Sequence, residues 1–336
     1  MADLPAWMLI LIGLVLLVIG GELLVRGSVR VAERLGVSPL LIGLTLVGFG
    51  TSTPELVTSV QAALIGSPGI AVGNIVGSNM FNILLILGMS ALIYPLAVQS
   101  GALKRDGVAG VCVGVLLLGV AVTTGLTRPV GALLVALLVG YMVYAYRQER
   151  VLQPASIDHT APYERAEALE GVDPGLRPHA PEGGGVLAWL GPVLMAVAGL
   201  AIIIAGGRLL VDGAVDLARQ LGMREAVIGL TIVAAGTSMP ELVTSAVAAV
   251  RRQTDVALGN ILGSNIYNIL GIGGVTALIS PTAVPASMVR FDIPVMIAVS
   301  LLLLVFCATG RRLSRVEGGV FLLLYVAYTA WLLRSV

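Results

Sequence analysis

Two nine-residue segments carry residue types that can do chemistry. Thr51-Ser52-Thr53-Pro54-Glu55-Leu56-Val57-Thr58-Ser59 returns 186 positions later as Thr237-Ser238-Met239-Pro240-Glu241-Leu242-Val243-Thr244-Ser245, with eight of nine residues identical. The same shift lays Gly73-Asn74-Ile75-Val76-Gly77-Ser78-Asn79-Met80-Phe81-Asn82 on Gly259-Asn260-Ile261-Leu262-Gly263-Ser264-Asn265-Ile266-Tyr267-Asn268 without a gap. Residues three and four apart share a helix face. Thr51 and Ser52 therefore lie beside Glu55, and Thr237 and Ser238 beside Glu241; Ser78 with Asn82 and Ser264 with Asn268 are likewise four apart. Two carboxylates among hydroxyl, amide and carbonyl oxygens, without His or Cys, form an oxygen-only shell. That shell suits a hard cation, Ca²⁺ or Na⁺, rather than Zn²⁺ or Cu⁺. Mg²⁺ fits less well, because it holds its water tightly. Two negative charges match one Ca²⁺, or Na⁺ ions spread over adjacent oxygens, and mutually exclusive occupation of one site is what an antiporter requires.

The elements that position these groups cross a membrane. The chain has 336 residues, 57% apolar and 12% charged, with a mean hydropathy of +0.98, which excludes a water-soluble globular enzyme. A net charge of +1 without a concentrated basic face excludes a nucleic-acid partner. Apolar runs of about 17–25 residues span a bilayer, and they place ten helices near 7–28, 38–65, 70–93, 107–125, 129–146, 187–211, 224–250, 255–279, 292–309 and 317–333. The first lacks a basic region before it and is expected to be retained rather than cleaved as a signal peptide. Of 19 Asp and Glu residues, 17 fall in loops, a linker or span ends. Only Glu55 and Glu241 are expected deep within spans, where a carboxylate costs on the order of 3 kcal/mol unless it lines a polar cavity or binds a partner. No Lys, Arg or His is expected at comparable depth, so the missing positive charge is assigned to a bound cation. Pro54 and Pro240 should kink their helices and release the carbonyls of Gly50 and Gly236, with Gly48 and Gly50 allowing close approach.

Residues 148–185 hold five prolines and a Gly183-Gly184-Gly185 run and read as a linker. His159 and His179 lie there without metal-ligand spacing. The linker separates a first five-helix repeat, 1–147, from a second, 186–336, and the shift of 186 also carries Asp106 onto Asp292. An odd number of spans per copy makes the second enter the membrane from the opposite side, an inverted repeat as in secondary transporters. Basic residues favour cytoplasmic loops. With both termini outside and the linker cytoplasmic, 14 of 20 Lys and Arg residues fall on the cytoplasmic side. Cys112 and Cys307 sit in apolar runs and read as small buried hydrophobes.

On these doubled motifs, Thr-Ser-x-Pro-Glu and Gly-Ser-Asn-x-x-Asn, the chain resembles the sodium/calcium exchanger branch of the calcium/cation antiporter superfamily, from about residue 7 to 335 excluding the linker. The resemblance implies an all-α integral membrane protein of ten transmembrane helices in two inverted repeats. It also implies a central ion site formed by helices 2, 3, 7 and 8, and movement of long tilted helices 1 and 6. Carried over by motif, the ligands are Thr51, Ser52, Glu55, Ser78 and Asn82 with Thr237, Ser238, Glu241, Ser264 and Asn268, joined by the backbone oxygens of Gly48 and Ala234. Proton-coupled relatives usually carry Asn in place of the Thr-Ser pair, and potassium-dependent ones carry Asp where Asn268 stands. The resemblance thus points to Na⁺-driven, potassium-independent Ca²⁺ exchange across the cell membrane, with no cofactor and no obligate protein partner. The linker is too short for the folded calcium-sensing domains of animal exchangers. Gly20-Gly21 and Gly206-Gly207 suit either sliding or close static packing of helices 1 and 6. A Ca²⁺/H⁺ antiporter remains the nearest alternative. An intramembrane hydrolase using the Glu pair as acid and base lacks a nucleophile or a metal-binding His, and a channel would be told apart by its larger currents.

Overall fold

The computed structural model describes residues 4–34, 52–98, 103–151, 186–250, 252 and 254–334. Helices make up nearly all of it. In chain order they are α1 (Ala6–Arg34), α2 (Thr53–Leu64) and α3 (Pro68–Met80, continued by a π-helical turn Phe81–Leu87 and by Gly88–Ile93). There follow α4 (Val108–Thr123, entered through π-helical Leu103–Gly107), α5 (Arg128–Val151) and α6 (Val186–Leu221). Next, α7 joins Glu225–Ile228, π-helical Gly229–Val233 and Ala234–Thr237, and α8 is Met239–Val250. The last three are α9 (Thr254–Tyr267, π-helical Asn268–Ile272, Gly273–Ile279), α10 (π-helical Met288–Asp292, then Ile293–Gly310) and α11 (Arg315–Arg334). Among the described residues, eight helical stretches are long and apolar enough to cross a bilayer, and α7 with α8, bent by 52° at their junction, make one more. The span expected at 38–65 is described only from Ser52, as α2. Most of the linker, residues 152–185, also lies outside the described residues.

Three helices run past their expected ends: α1 reaches Arg34 rather than 28, α5 reaches Val151 rather than 146, and α6 reaches Leu221 rather than 211. Counting apolar residues stops at the first charges, but the helix does not. On α1, Arg26 pairs with Glu22, and on α6, Arg219 lies 3.8 Å from Asp216, spacings that support an exposed helix. At about 1.5 Å per residue the 36 residues of α6 extend about 54 Å, against a hydrocarbon core of about 30 Å, so this helix is tilted or projects beyond the bilayer.

Contacts recur in images related by the 186-residue shift. Gly13 of α1 packs on Gly206 and Leu210 of α6, and Gly20 packs on Gly199 and Ile203, so the two helices cross antiparallel. A Cβ at Gly13, Gly20, Gly199 or Gly206 would come within 2.4–2.9 Å of a facing backbone atom. Since Gly13 corresponds to Gly199 and Gly20 to Gly206, equivalent helices run in opposite directions, as an inverted repeat demands. The short strands β1 (Leu96–Ala97) and β2 (Arg312–Leu313) pair antiparallel, Leu96 opposite Leu313. Their image is the bridge between Leu126 and Thr282, once a one-residue insertion beyond Asp292 raises the shift to 187. α3 and α9 are largely enclosed, whereas α1, α4, α5, α6, α10 and α11 bury 22–35% of their apolar windows and turn the rest outward to lipid. Cys307 is buried as expected, but Cys112 is exposed on the outer surface of α4.

Candidate cation site

α2 and α8 begin alike. Ser52 (φ −88°, ψ 7°) and Ser238 (φ −85°, ψ 12°) leave helical geometry in the same way, and Pro54 and Pro240 follow in the first turn, where no helical N–H is required. In the second copy the expected kink is the break at Ser238. Gly48, Gly50 and Thr51 lie outside the described residues, so this comparison reaches only from Ser52 onward in the first copy.

The two breaks are laced together. Ser52 Oγ donates to Glu241 Oε1 at 3.0 Å, and Ser238 Oγ donates to Glu55 Oε1 at 3.0 Å. Each carboxylate is thus held by the serine of the other copy. Glu55 and Glu241 are both 1% exposed, so the two acids share one interior space at the junction of α2, α7 and α8. α3 reaches this junction because Gly73 and Gly77 lack side chains: a Cβ on Gly77 would meet Leu230 O at 2.7 Å, and one on Gly73 would meet Gly229 at 3.0 Å.

The remaining predicted residues that the structure describes are buried as well. Ser78, Asn82, Ser238, Ser264, Asn268, Thr237 and Ala234 are all buried. Asn82 lies in the π-helical turn of α3, and Asn268 opens the matching turn of α9. Such turns widen the helix and recur at functional sites. A neutral oxygen can bind a cation only if its own protons point elsewhere, and several here do. Ser264 Oγ donates to Asn260 O at 2.8 Å, Thr237 Oγ1 donates to Asn74 Oδ1 and Val233 O at 3.0 Å each, and Asn82 Nδ2 donates to Asn265 Oδ1 at 2.9 Å. The Ala234 carbonyl accepts the Ser238 N–H at 3.1 Å. Ser78 Oγ, Asn82 Oδ1 and Asn268 Oδ1 are buried with no hydrogen-bond partner among the described residues. Leaving each such atom unmet costs about 1–3 kcal/mol. No group of three His, Cys, Asp or Glu that could hold a metal occurs among the described residues, so the two carboxylates set the charge of this site.

Sequence reading missed a supporting pair. Asn74 is fully buried and donates to Glu55 O at 3.1 Å and to Ser59 Oγ at 2.9 Å; its image Asn260 donates to Ser245 Oγ at 2.9 Å. The signal was present in the spacing, since Asn74, Ser78 and Asn82 are successive four-residue steps on one helix face. Asp106 and Asp292, placed at span ends by the sequence, are also buried. Asp106 accepts from Tyr141 Oη at 2.9 Å and from Arg105 at 2.8 and 3.2 Å, and Asp292 accepts from Tyr328 Oη at 2.7 Å.

Residues 5–147 and 191–334 match the profile of the family described as sodium/calcium exchanger protein. The chain is 39% identical to the putative antiporter CaxA of Alkalimonas amylolytica, covering 99% of this chain and 100% of that protein. It is 35% identical to the sodium/calcium exchanger MaX1 of Methanosarcina acetivorans, covering 96% and 97%. Among solved structures it is similar to the sodium-calcium exchanger NCX_Mj, with a TM-score of 0.59, 31% identity and 97% of each chain covered.

Proposed function

The chain belongs to the sodium/calcium exchanger family, which makes it a multi-pass membrane cation antiporter rather than an enzyme, and from that premise we propose that it exchanges Ca²⁺ for Na⁺ by alternating access to one central site. The observation that carries this reading is the crossed pair of bonds, Ser52 to Glu241 and Ser238 to Glu55. They bring two buried carboxylates to one place and orient both serine hydroxyls so that their lone pairs remain available. Glu55 and Glu241 would supply the charge that binds either one Ca²⁺ or Na⁺ ions, while Thr51, Ser52, Ser78, Asn82, Thr237, Ser238, Ser264, Asn268 and the carbonyls of Gly48 and Ala234 complete the shell. The two copies, 1–147 and 186–336, would expose the site alternately to opposite faces of the cell membrane, with the linker 148–185 cytoplasmic and both termini outside.

Purified protein in vesicles tests the coupling ion. Ca²⁺ uptake driven by an imposed Na⁺ gradient at constant pH is expected; uptake driven by a pH gradient with Na⁺ absent would move the assignment to Ca²⁺/H⁺ exchange. For orientation, Ser156→Cys in a background lacking Cys112 and Cys307 is expected to resist membrane-impermeant thiol reagents in intact cells. Rapid labelling would reverse the topology.

A further inference from the structure

Asn82 is one of the residues assigned to the ion, and nothing in its own helix decides which end of its amide faces inward. The last torsion of an Asn side chain is broad and roughly two-fold, so an unrestrained amide presents its NH₂ about as readily as its oxygen. Only the oxygen can bind a cation. Here the choice is made by the other copy. α9 packs against the π-helical turn of α3 that carries Asn82, and there Asn82 Nδ2 donates to Asn265 Oδ1 at 2.9 Å. With its NH₂ engaged, Asn82 leaves Oδ1 buried and without a hydrogen-bond partner among the described residues. Asn265 is fixed in turn: its Nδ2 donates to the backbone oxygen of Asn79 at 3.4 Å, which leaves its own Oδ1 to accept from Asn82. Both amides are buried, with Asn265 7% and Asn82 1% exposed, so bulk water does not compete for them.

The 186-residue shift turns this arrangement into Asn268 donating to Asn79, and that bond is not made. Asn79 Nδ2 and Oδ1 are both buried with no hydrogen-bond partner among the described residues. Asn79 instead lines a cavity of about 20 Å³ between α3, α4, α9 and α10, shared with Asn265 and Ser300 and large enough for one water. One image therefore grips a residue of the ion shell and the other does not. We propose that Asn265 is a positioning residue for the cation site, acting through Asn82, whose oxygen it turns to the ion by holding the NH₂, and that Asn79 has no such role toward Asn268. This rests on the reading of Asn82 as a ligand in the exchange described above.

A double-mutant cycle separates this role from general support of the fold. In Na⁺-loaded vesicles, Asn265→Ala is expected to raise the half-saturating Ca²⁺ concentration about tenfold with less than about a twofold change in maximal rate, and Asn82→Ala to raise it at least as much. The double variant should stay within about twofold of Asn82→Ala, because residues that act through one contact are not additive. Asn79→Ala, which keeps the backbone oxygen that Asn265 uses, should shift it less than about twofold. Calorimetric Ca²⁺ binding to the detergent-solubilised chain reads the same cycle where uptake is too slow to follow. If Asn265→Ala does not reconstitute, Asn265→Ser takes its place with the same expectations. Effects that multiply in the double variant, an unchanged half-saturation in Asn82→Ala, or equal effects of Asn79→Ala and Asn265→Ala would overturn the proposal. Failure of the unmodified chain to take up Ca²⁺ on a Na⁺ gradient counts against the exchange reading instead, so the two failures are told apart.

Discussion

Around Glu55 and Glu241 the two copies of the repeat share their serine–carboxylate and asparagine–serine bonds, although Ser264 donates to Asn260 O where Ser78 has no partner among the described residues. Serine of one copy reaches carboxylate of the other at 3.0 Å in both directions, and Asn74 and Asn260 each donate to a serine at 2.9 Å. Around Asp106 and Asp292 the copies part. One acid is covered by Arg105, and the other is left beside a crevice behind Phe291. In the proposed exchange a single ion is met from both sides of the membrane in turn, which gives the centre reason to stay symmetric. The span ends face two different boundaries, and nothing requires them to match. On that proposal, similarity between the copies separates what handles the ion from what handles the surroundings.

The largest effects should fall where the symmetry is tightest. Glu55→Gln and Glu241→Gln keep the shape of the side chain but remove half of the site's charge. Each should lower Ca²⁺ uptake into Na⁺-loaded vesicles by about a hundredfold or more, since burying a cation without its countercharge costs several kcal/mol, while the protein still inserts and elutes as a monodisperse peak. Near-normal uptake by either variant would break the equivalence of the two acids and with it the ligand assignment.

Asn74 and Asn260 hold the backbone and serines behind the carboxylates, so their removal should loosen the site rather than empty it. Asn74→Ala also deprives Thr237 of one acceptor for its proton and leaves the Val233 carbonyl alone to hold that hydrogen away from the ion. A roughly tenfold rise in the half-saturating Ca²⁺ concentration is expected for each alanine variant, equivalent to about 1.4 kcal/mol, with a smaller change in maximal rate. A fall in maximal rate alone would make these residues structural.

How much of this was legible beforehand follows from the physics of each element. The repeat and the Glu pair were readable because a carboxylate in an apolar run is costly enough to demand a reason, and the same exception appeared twice. Membership of the family and the all-helical architecture followed from the same motifs. Helix ends were not readable: α6 continues to Leu221 through Asp212, Asp216 and Arg219, because a helix persists on intrahelical hydrogen bonds after its apolar run stops. The Ser52–Glu241 crossing was not readable either, since it depends on two breaks meeting in space and neither sequence segment names its partner. Asp106 and Asp292 were visible as images of each other, but only packing reveals that both are buried and that one neighbour, Arg105 or Phe291, makes their environments unlike.

Adding an acid sharpens the comparison at the centre. Asn268→Asp and Asn82→Asp each place a third carboxylate near the Glu pair, and three crowded carboxylates cannot all remain ionised easily. Uptake by Asn268→Asp is expected to fall several-fold more steeply than that of the unmodified chain as pH is lowered, or to gain assistance from K⁺. The unmodified chain, with two acids, should need no K⁺ when choline replaces it on both sides. Asn82→Asp should be the more damaging of the two, because Asn82 Nδ2 donates to Asn265 Oδ1 and a carboxylate would set two acceptors against each other. Identical profiles for the two variants would mean that this bond does not distinguish the copies.

The smallest expected effect tests the divergence at the rim. Tyr141→Phe and Tyr328→Phe each delete one hydroxyl that donates to a buried aspartate, at 2.9 and 2.7 Å respectively. In the first copy the Arg105 guanidinium still holds Asp106 by two bonds, so the carboxylate stays satisfied and the loss should be under about 1 kcal/mol. In the second copy Phe291 offers no replacement. Asp292 loses a bond to a charged group, a loss of about 1.5–3 kcal/mol. Paired unfolding measurements in one detergent give the difference directly, and the cost to Tyr328→Phe should be at least twice that to Tyr141→Phe. Introducing Phe291→Arg should then recover much of the Tyr328→Phe deficit, because it restores to the second copy the partner that Arg105 provides in the first. No recovery would mean that an arginine at position 291 does not reach Asp292, and that the two copies differ here in more than this one neighbour.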